Sequence, residues 1–329
     1  MVIRCVPHPG DTYCPIGATS VTSWLAGTAA AAAAGIVADR ILGEPPVRPH
    51  PVAAFGSVMR AVERRLYRDT RRAGVAHAGI GIGLGALGGW ALGSTGASTA
   101  LAVAGRSLAT AAGEVGAALD AGDLDRARAL LPALAGRDPQ DLDEKEVARA
   151  VVESVAENTV DAVVAPALWG AFAGAPGALG YRAVNTLDAM VGHHSTAYER
   201  YGWASARLDD VAGWVPARVT AGLVAAVRPK DATVVWRAVR RDAPAHPSPN
   251  AGVAEAAFAA ALGLRLGGAN SYAGRIDLRP AFGDGRPPDA RDIGRAVALA
   301  NDVGLALAAA LGALALVARN RGRAAGRRR

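Results

Sequence analysis

Glu153, Glu157 and Asp161 follow one another at intervals of four residues, so on one helix their carboxylates line a single face, with Asn158 beside them. Like charges at that spacing repel unless a cation sits among them. A hard divalent ion such as magnesium, or a substrate amine, meets that need. A solvated acidic face balanced by Arg149 would produce the same pattern, but here the run leads directly into apolar sequence at Val160. Asn185 and Asp188 again share a helical face and are followed by Met190 and Val191 rather than by a surface pattern; capping of a helix start is the competing explanation. Asp209 and Asp210 are adjacent, so on a helix one faces inward while the other meets solvent or Arg207. Either could hold magnesium with bridging phosphate oxygens.

Further along, Ser248 and Asn250 precede a helix-like run from Val253 to Leu266. A helix start with exposed amides accepts a phosphate or carboxylate, and ordinary N-capping accounts for the same residues equally well. His193 and His194 point apart as neighbours and have no orienting carboxylate nearby in sequence, so we read them as bystanders. The chain has no phosphate-binding glycine loop ending in Lys-Ser/Thr, no dinucleotide glycine fingerprint and no zinc constellation. Cys5, Cys14 and His8 lack a convincing fourth ligand and belong to a tail, residues 1–20, that reads as disordered.

The elements that must position these groups are apolar. Val21 to Ala38 runs about 18 residues without a charge, enough for a first span. His77 to Leu119 is nearly free of charge and rich in closely spaced glycines, which suits close helix approach in lipid and predicts a hairpin of two spans turning near Gly93 to Ser98. Residues 120–160 read as an amphipathic helical segment outside the bilayer core, on the spacing of Val147, Val151, Val152 and Val155. Val160 to Tyr181 is broken by Pro166, Gly174, Pro176 and Gly177, as in a short or re-entrant helix pair lining a cavity. Trp214 to Val227 is a shorter apolar patch carrying Arg218, residues 228–295 are polar and Pro-rich, and Ala296 to Ala318 reads as a last span.

The whole chain agrees with a membrane class. Its 329 residues are 51% hydrophobic and only 20% charged, with a mean hydropathy of +0.18. The net charge of +7 is concentrated in two blocks: eight arginines between Asp39 and Arg72, and six between Arg319 and Arg329. Basic blocks beside apolar runs act as cytoplasmic anchors against anionic lipid. Aromatic residues, at 5%, do not interleave with the arginines, which argues against nucleic acid as a partner. The expected architecture is all-α: a polytopic integral membrane protein with about four to five spanning helices plus amphipathic or re-entrant ones. It comprises a single embedded domain over residues 21–318 and a basic cytoplasmic tail over 319–329.

Taken in order, several stretches resemble the CobD/CbiB family of cobalamin biosynthesis proteins, the membrane-embedded adenosylcobinamide-phosphate synthases. They are Asp39 to Pro46 with His50-Pro51-Val52, Arg137-Asp138, Glu153 to Asn158, Asn185 to Gly192, Ser205 to Asp210 with Pro216-Ala217-Arg218, and Ser248 to Gly252. Any one is weak, but the ordered set is specific. Ala189 and His193 depart from the serine and tyrosine common at those positions in the family. The tail before Val21 has no counterpart that we recognise.

The resemblance implies amide-bond formation between adenosylcobyric acid and (R)-1-amino-2-propanol O-phosphate to give adenosylcobinamide phosphate, with ATP as co-substrate, Mg2+ as cofactor, and residence in the cell membrane. On it we assign Glu153, Glu157, Asn158, Asn185, Asp188 and Arg207 to catalysis. Arg218, Ser248, Asn250 and His50 are assigned to substrate binding, and Asp161, Asp188, Asp209 and Asp210 to metal. Expected partners are the corrinoid and aminoalcohol phosphate substrates and membrane lipid; self-association, or association with other corrin-pathway membrane enzymes, stays open. A non-catalytic scaffold for such enzymes and a cation-coupled transporter are the other readings. A transporter would place its acids near mid-span, whereas these stand at segment ends.

Overall fold

The computed structural model describes residues 18–43, 50–136, 139–193, 195–272 and 275–326. The tail carrying Cys5, His8 and Cys14, the stretch Glu44 to Pro46, Arg137-Asp138, His194 and residues 327–329 lie outside them. The protein is a polytopic all-α membrane protein, and among the described residues five helical stretches are long and apolar enough to cross a bilayer. These are Val21–Leu42, Arg71–Leu92, Glu144–Gly192, Trp203–Val227 and Ala290–Ala324. At about 1.5 Å per residue, even the shortest of them reaches the roughly 30 Å of a hydrocarbon core.

In chain order the helices are α1 (Ala18–Leu42), α2 (Pro51–Leu66), α3 (Arg71–Leu92), α4 (Thr95–Ala102), α5 (Gly105–Asp120), α6 (Leu124–Leu130), α7 (Glu144–Thr159), α8 (Ala165–Leu187), α9 (Trp203–Val227), α10 (Ala232–Asp242), α11 (Ala251–Leu262) and α12 (Ala290–Gly326). One antiparallel hairpin, β1 (Leu266–Tyr272) and β2 (Arg275–Phe282), interrupts them. That hairpin was not expected from the sequence, because its register comes from tertiary contacts rather than from an alternating apolar pattern. α12 continues helical past Arg319, so the start of the basic tail extends the last span.

Packing pairs α1 with α12, α3 with α8, and α4 with both α1 and α8. The glycines of α3 make its approach to α8 possible: a Cβ at Gly85 would lie 2.7 Å from the Leu179 carbonyl oxygen, and one at Gly89 would strike the Ala175 backbone. Outward-facing apolar side chains, among them Leu87, Trp90, Phe172, Val211, Trp214 and Leu316, are exposed on the spanning helices, as a lipid-facing surface requires.

The expected two-span hairpin over 77–119 is corrected. Its turn falls at Gly93, left-handed at φ 65°, but the return limb is split into α4 and α5 at Val103-Ala104. There the Ala104 amide leaves the helical ladder and donates to the Ala162 carbonyl at 2.9 Å, tying the limb sideways into the neighbouring helix. The segment 120–160 also differs from expectation. α7 is core rather than a surface helix, with Val147, Val151, Val152 and Val155 all fully buried, and it starts at a capping box between Asp143 and Glu146.

The breaks expected over 160–181 are present, within one long helical path. At Gly174 the backbone turns to φ 66° and ψ −158° ahead of Pro176, and Thr28 Oγ1 of α1 donates to the nearby Ala171 carbonyl at 2.6 Å. Pro216 in α9 similarly leaves the Ala212 carbonyl without its amide partner, and Trp169 Nε1 donates to it at 3.1 Å. In lipid such freed carbonyls must be satisfied by neighbours.

Candidate active site

α7, α8 and the segments joining them carry two acid clusters. Asp161 and Asp188 each sit in a five-residue π-helical stretch, Val160–Val164 and Asp188–Gly192. A π turn inserts one residue into a helix and re-aims its side chains, and such turns concentrate at functional positions. The two stretches and the first half of α9 bring Asp161, Asp188 and Asp209 within electrostatic reach of one another. Asn185 Nδ2 donates to Asp209 Oδ1 at 3.4 Å, and Tyr181 Oη donates to Asp161 Oδ1 at 3.4 Å. Gly192 is required here, since a Cβ at that position would collide with the Asp188 carboxylate. Neither Asn185 nor Asp188 caps a helix start: both lie inside the continuous helical path.

Asp209 and Asp210 diverge as adjacent helical residues must. Asp209 faces Asn185, while Asp210 pairs with the exposed Arg207 at 3.4 Å. The donors of Asp161, Asp188 and Asp209 are all carboxylate oxygens, and the hydrogen bonds to Asp161 and Asp209 are long, at 3.4 Å each, leaving lone pairs available. That donor set fits a hard divalent ion such as Mg2+.

The second cluster begins one turn earlier on α7. Glu153 is 2% exposed, which rules out a solvated acidic face. Its Oε1 accepts from the Gly267 amide at 2.7 Å, and Arg149 donates to the Gly267 carbonyl, so α7 holds both backbone polar groups of one residue at the base of the β-hairpin. Glu157 lies between the clusters: it acts on Asp161 from one side and on Glu255 of α11 from the other. Beside Glu255 stand His246 and, from β2, Arg279. Burial and the facing Glu157 and Glu153 carboxylates push the Glu255 carboxyl well above the usual range. Burial and the Arg279 guanidinium hold the His246 imidazole below its usual value.

The remaining candidates are placed as follows. Asn158 donates back to the Ser154 carbonyl at 2.9 Å within α7. Ser248 Oγ accepts from the amides of Asn250 and Ala251, a serine turn that leads the chain into α11. Asn250 Nδ2 donates to the Asp210 carbonyl at 2.9 Å, which ties α11 to the acidic turn of α9, and Gly213 leaves the room for it. Arg218 reaches the Pro249 carbonyl at 2.9 Å and stacks over Trp214. His50 stands at the start of α2. His193 packs edge-on against Tyr198, whose hydroxyl donates to Glu63 at 2.7 Å and is pushed up to about 12 by that bond.

Sequence reasoning missed Tyr181, Glu255 and Arg279. Glu255 did leave a signal, as the single acid in an otherwise apolar helix, Ala251–Leu262. Arg279 left none, because only the hairpin fold carries it to α7.

Comparison with known proteins adds independent information. Residues 32–300 match the family described as CobD/Cbib protein. A protein of Mycobacterium tuberculosis strain H37Rv named "Cobalamin biosynthesis protein CobD" is 47% identical over 285 residues, 82% of this chain and 90% of its own length. Proteins of the same name from Chromobacterium violaceum and Geobacter metallireducens are 43% and 41% identical, over 81% and 77% of this chain and 90% and 86% of their own lengths. No solved structure matches the chain.

Proposed function

We propose, starting from the fact that this chain belongs to the CobD/CbiB family, that it acts in cobalamin biosynthesis as a cell-membrane ligase. Its reaction joins the free carboxylate of adenosylcobyric acid to the amine of (R)-1-amino-2-propanol O-phosphate, giving adenosylcobinamide phosphate at the expense of ATP. The observation that supports this reading best is the convergence of Asp161, Asp188 and Asp209 from separate helical segments around Asn185.

A carboxylate does not acylate an amine unaided. In the proposed sequence its oxygen attacks the γ-phosphorus of ATP and ADP leaves, giving an acyl phosphate. The amine nitrogen then attacks the acyl carbon, the C–O bond to phosphate breaks, and the nitrogen gives up a proton. Bound at Asp161 and Asp209, with Asp210 adjoining, Mg2+ would offset the charge of the ATP phosphates. Asp188 receives the substrate ammonium, orients it and takes up the proton it must lose before its nitrogen can attack, and Asn185 holds the Asp209 carboxylate in place. Arg207, exposed beside Asp210, offers a guanidinium to phosphate. Arg218, Ser248 and Asn250 support the site by joining α9 to the start of α11.

The test is to incubate the purified protein in detergent with adenosylcobyric acid, aminopropanol phosphate, ATP and magnesium, and to look for the amide by mass spectrometry. ATP-dependent product is expected; its absence beside an active relative assayed in parallel overturns the ligase reading.

A further inference from the structure

The glutamate–histidine cluster is arranged differently from the aspartate cluster and calls for a different ligand. One ligand atom each from Glu157, His246 and Glu255 lie within 4.8 Å of one another. His246 and Glu255 are buried, and Glu255, 1% exposed, points its Oε1 into this space without accepting a hydrogen bond. That oxygen is 3.5 Å from His246 Nε2 and 3.9 Å from Arg279 Nη1. A buried carboxylate oxygen with no hydrogen bond is costly, so the position calls for a cation. Arg279 partly answers it: its Nη1 lies 2.6 Å from His246 Nε2 and 3.8 Å from Glu157 Oε1, at the centre of the three donors.

The imidazole is already oriented for a ligand. Arg279 Nη1, which can only donate, lies 2.6 Å from Nε2, so Nε2 presents its lone pair to the cluster, while Nδ1 is left facing the Ser248 carbonyl oxygen at 3.1 Å and the Ser248 amide at 2.9 Å. With Nδ1 carrying the proton, Nε2 faces Glu255 and Glu157 as an acceptor.

We propose that Glu157, His246 and Glu255 bind one borderline divalent metal ion, for which the Arg279 guanidinium is a built-in competitor. One nitrogen and two carboxylate donors suit zinc or manganese better than magnesium, which prefers oxygen ligands throughout. Metal–ligand distances of about 2.0–2.2 Å require the three donors to close together once the guanidinium leaves. Arg279 is carried by the hairpin whose base is held by Glu153 and Arg149, so metal entry and the position of β2 are linked. The site goes beyond the amide-forming reading and does not depend on it, since its readout is bound metal rather than product.

The experiment uses the full chain without a polyhistidine tag, in a Cys5→Ser/Cys14→Ser background, stripped with chelator and kept in excess magnesium to fill the oxygen-only cluster. Zinc is titrated calorimetrically and bound metal is measured by mass spectrometry. The expected result is a zinc site retained in Asp209→Asn and weakened at least about tenfold in His246→Ala and in Glu255→Gln. Arg279→Ala is expected to tighten the same site by about tenfold through loss of a neighbouring positive charge. Zinc binding that is unchanged in His246→Ala and Glu255→Gln, or absent from the parent chain, overturns the proposal. Should the His246 and Glu255 variants fail to fold, the absence of tightening in Arg279→Ala overturns it equally.

Discussion

The aspartate cluster and the glutamate–histidine cluster are neighbours on one helical path, with Glu157 only one turn before Asp161, yet they balance their negative charge in opposite ways. Around Glu153, Glu157 and Glu255 the protein supplies partners of its own: a backbone amide for Glu153, and for Glu157 and Glu255 the Arg279 guanidinium of β2 beside the His246 imidazole. Around Asp161, Asp188 and Asp209 the partners are an amide side chain and a phenol at hydrogen-bond distances of 3.4 Å. The first region places one guanidinium, Arg279, among its acids. The second collects carboxylates that repel one another, and folding tolerates that arrangement when a ligand resolves it.

The sharpest way to break this contrast is Asp188→Asn. If the aspartates do the chemistry, kcat/KM for amide formation falls by about 10²- to 10³-fold, as for loss of one charge-stabilising group, while thermal stability holds or rises because a repulsive charge is removed. A loss of stability without loss of rate would reverse the roles given to the two regions. Gly192→Ala acts on the same carboxylate through space. The new methyl group meets Asp188 directly, and a displacement of that kind lowers the rate by about 10²-fold, measurable in the same product assay.

On the other side of the comparison, Glu153→Ala removes the acceptor of the Gly267 amide. It should lower the unfolding free energy by about 1.5–3 kcal/mol, the range for hydrogen bonds to charged groups. Thermal unfolding in detergent gives the value, and a change within about 0.5 kcal/mol would remove Glu153 as the hairpin's anchor. Glu255 produces a smaller and pH-dependent effect. Its folded-state pKa is raised, so the folded protein holds this proton more tightly than the unfolded chain. The associated stability is full below the unfolded carboxyl pKa and is lost as pH rises through the folded value, by at most about 1.4 kcal/mol per pH unit. Glu255→Gln should flatten that alkaline loss in a melting series. An unchanged slope would show that Glu255 is already ionised in the fold.

Much of the architecture was legible because hydrophobic length is a local property. Val21 to Ala38, the glycine-rich stretch after His77 and the run from Ala296 need no partner to announce a span. The breaks at Gly174 and Pro176 were legible for the same reason: backbone chemistry acts within a few residues. The second limb of the α3 hairpin was misread because composition cannot show the lateral bond from Ala104 to Ala162 that splits it. α7 was read as amphipathic because its acids suggest solvent, whereas Glu153 is buried by a hairpin more than a hundred residues away.

The candidate site divides along the same line. The order and spacing of the acids and the divergence of Asp209 from Asp210 are consequences of helical periodicity, which sequence alone determines. Membership of an all-α membrane class follows likewise from composition and run length. Which acids meet was decided only in three dimensions. The π turns at Val160–Val164 and Asp188–Gly192 shift side-chain direction by one residue, and α11 and β2 bring Glu255 and Arg279 to α7 from far along the chain. Charge balance at a buried carboxylate depends on whatever lies within a few ångströms, and no local pattern records that distance.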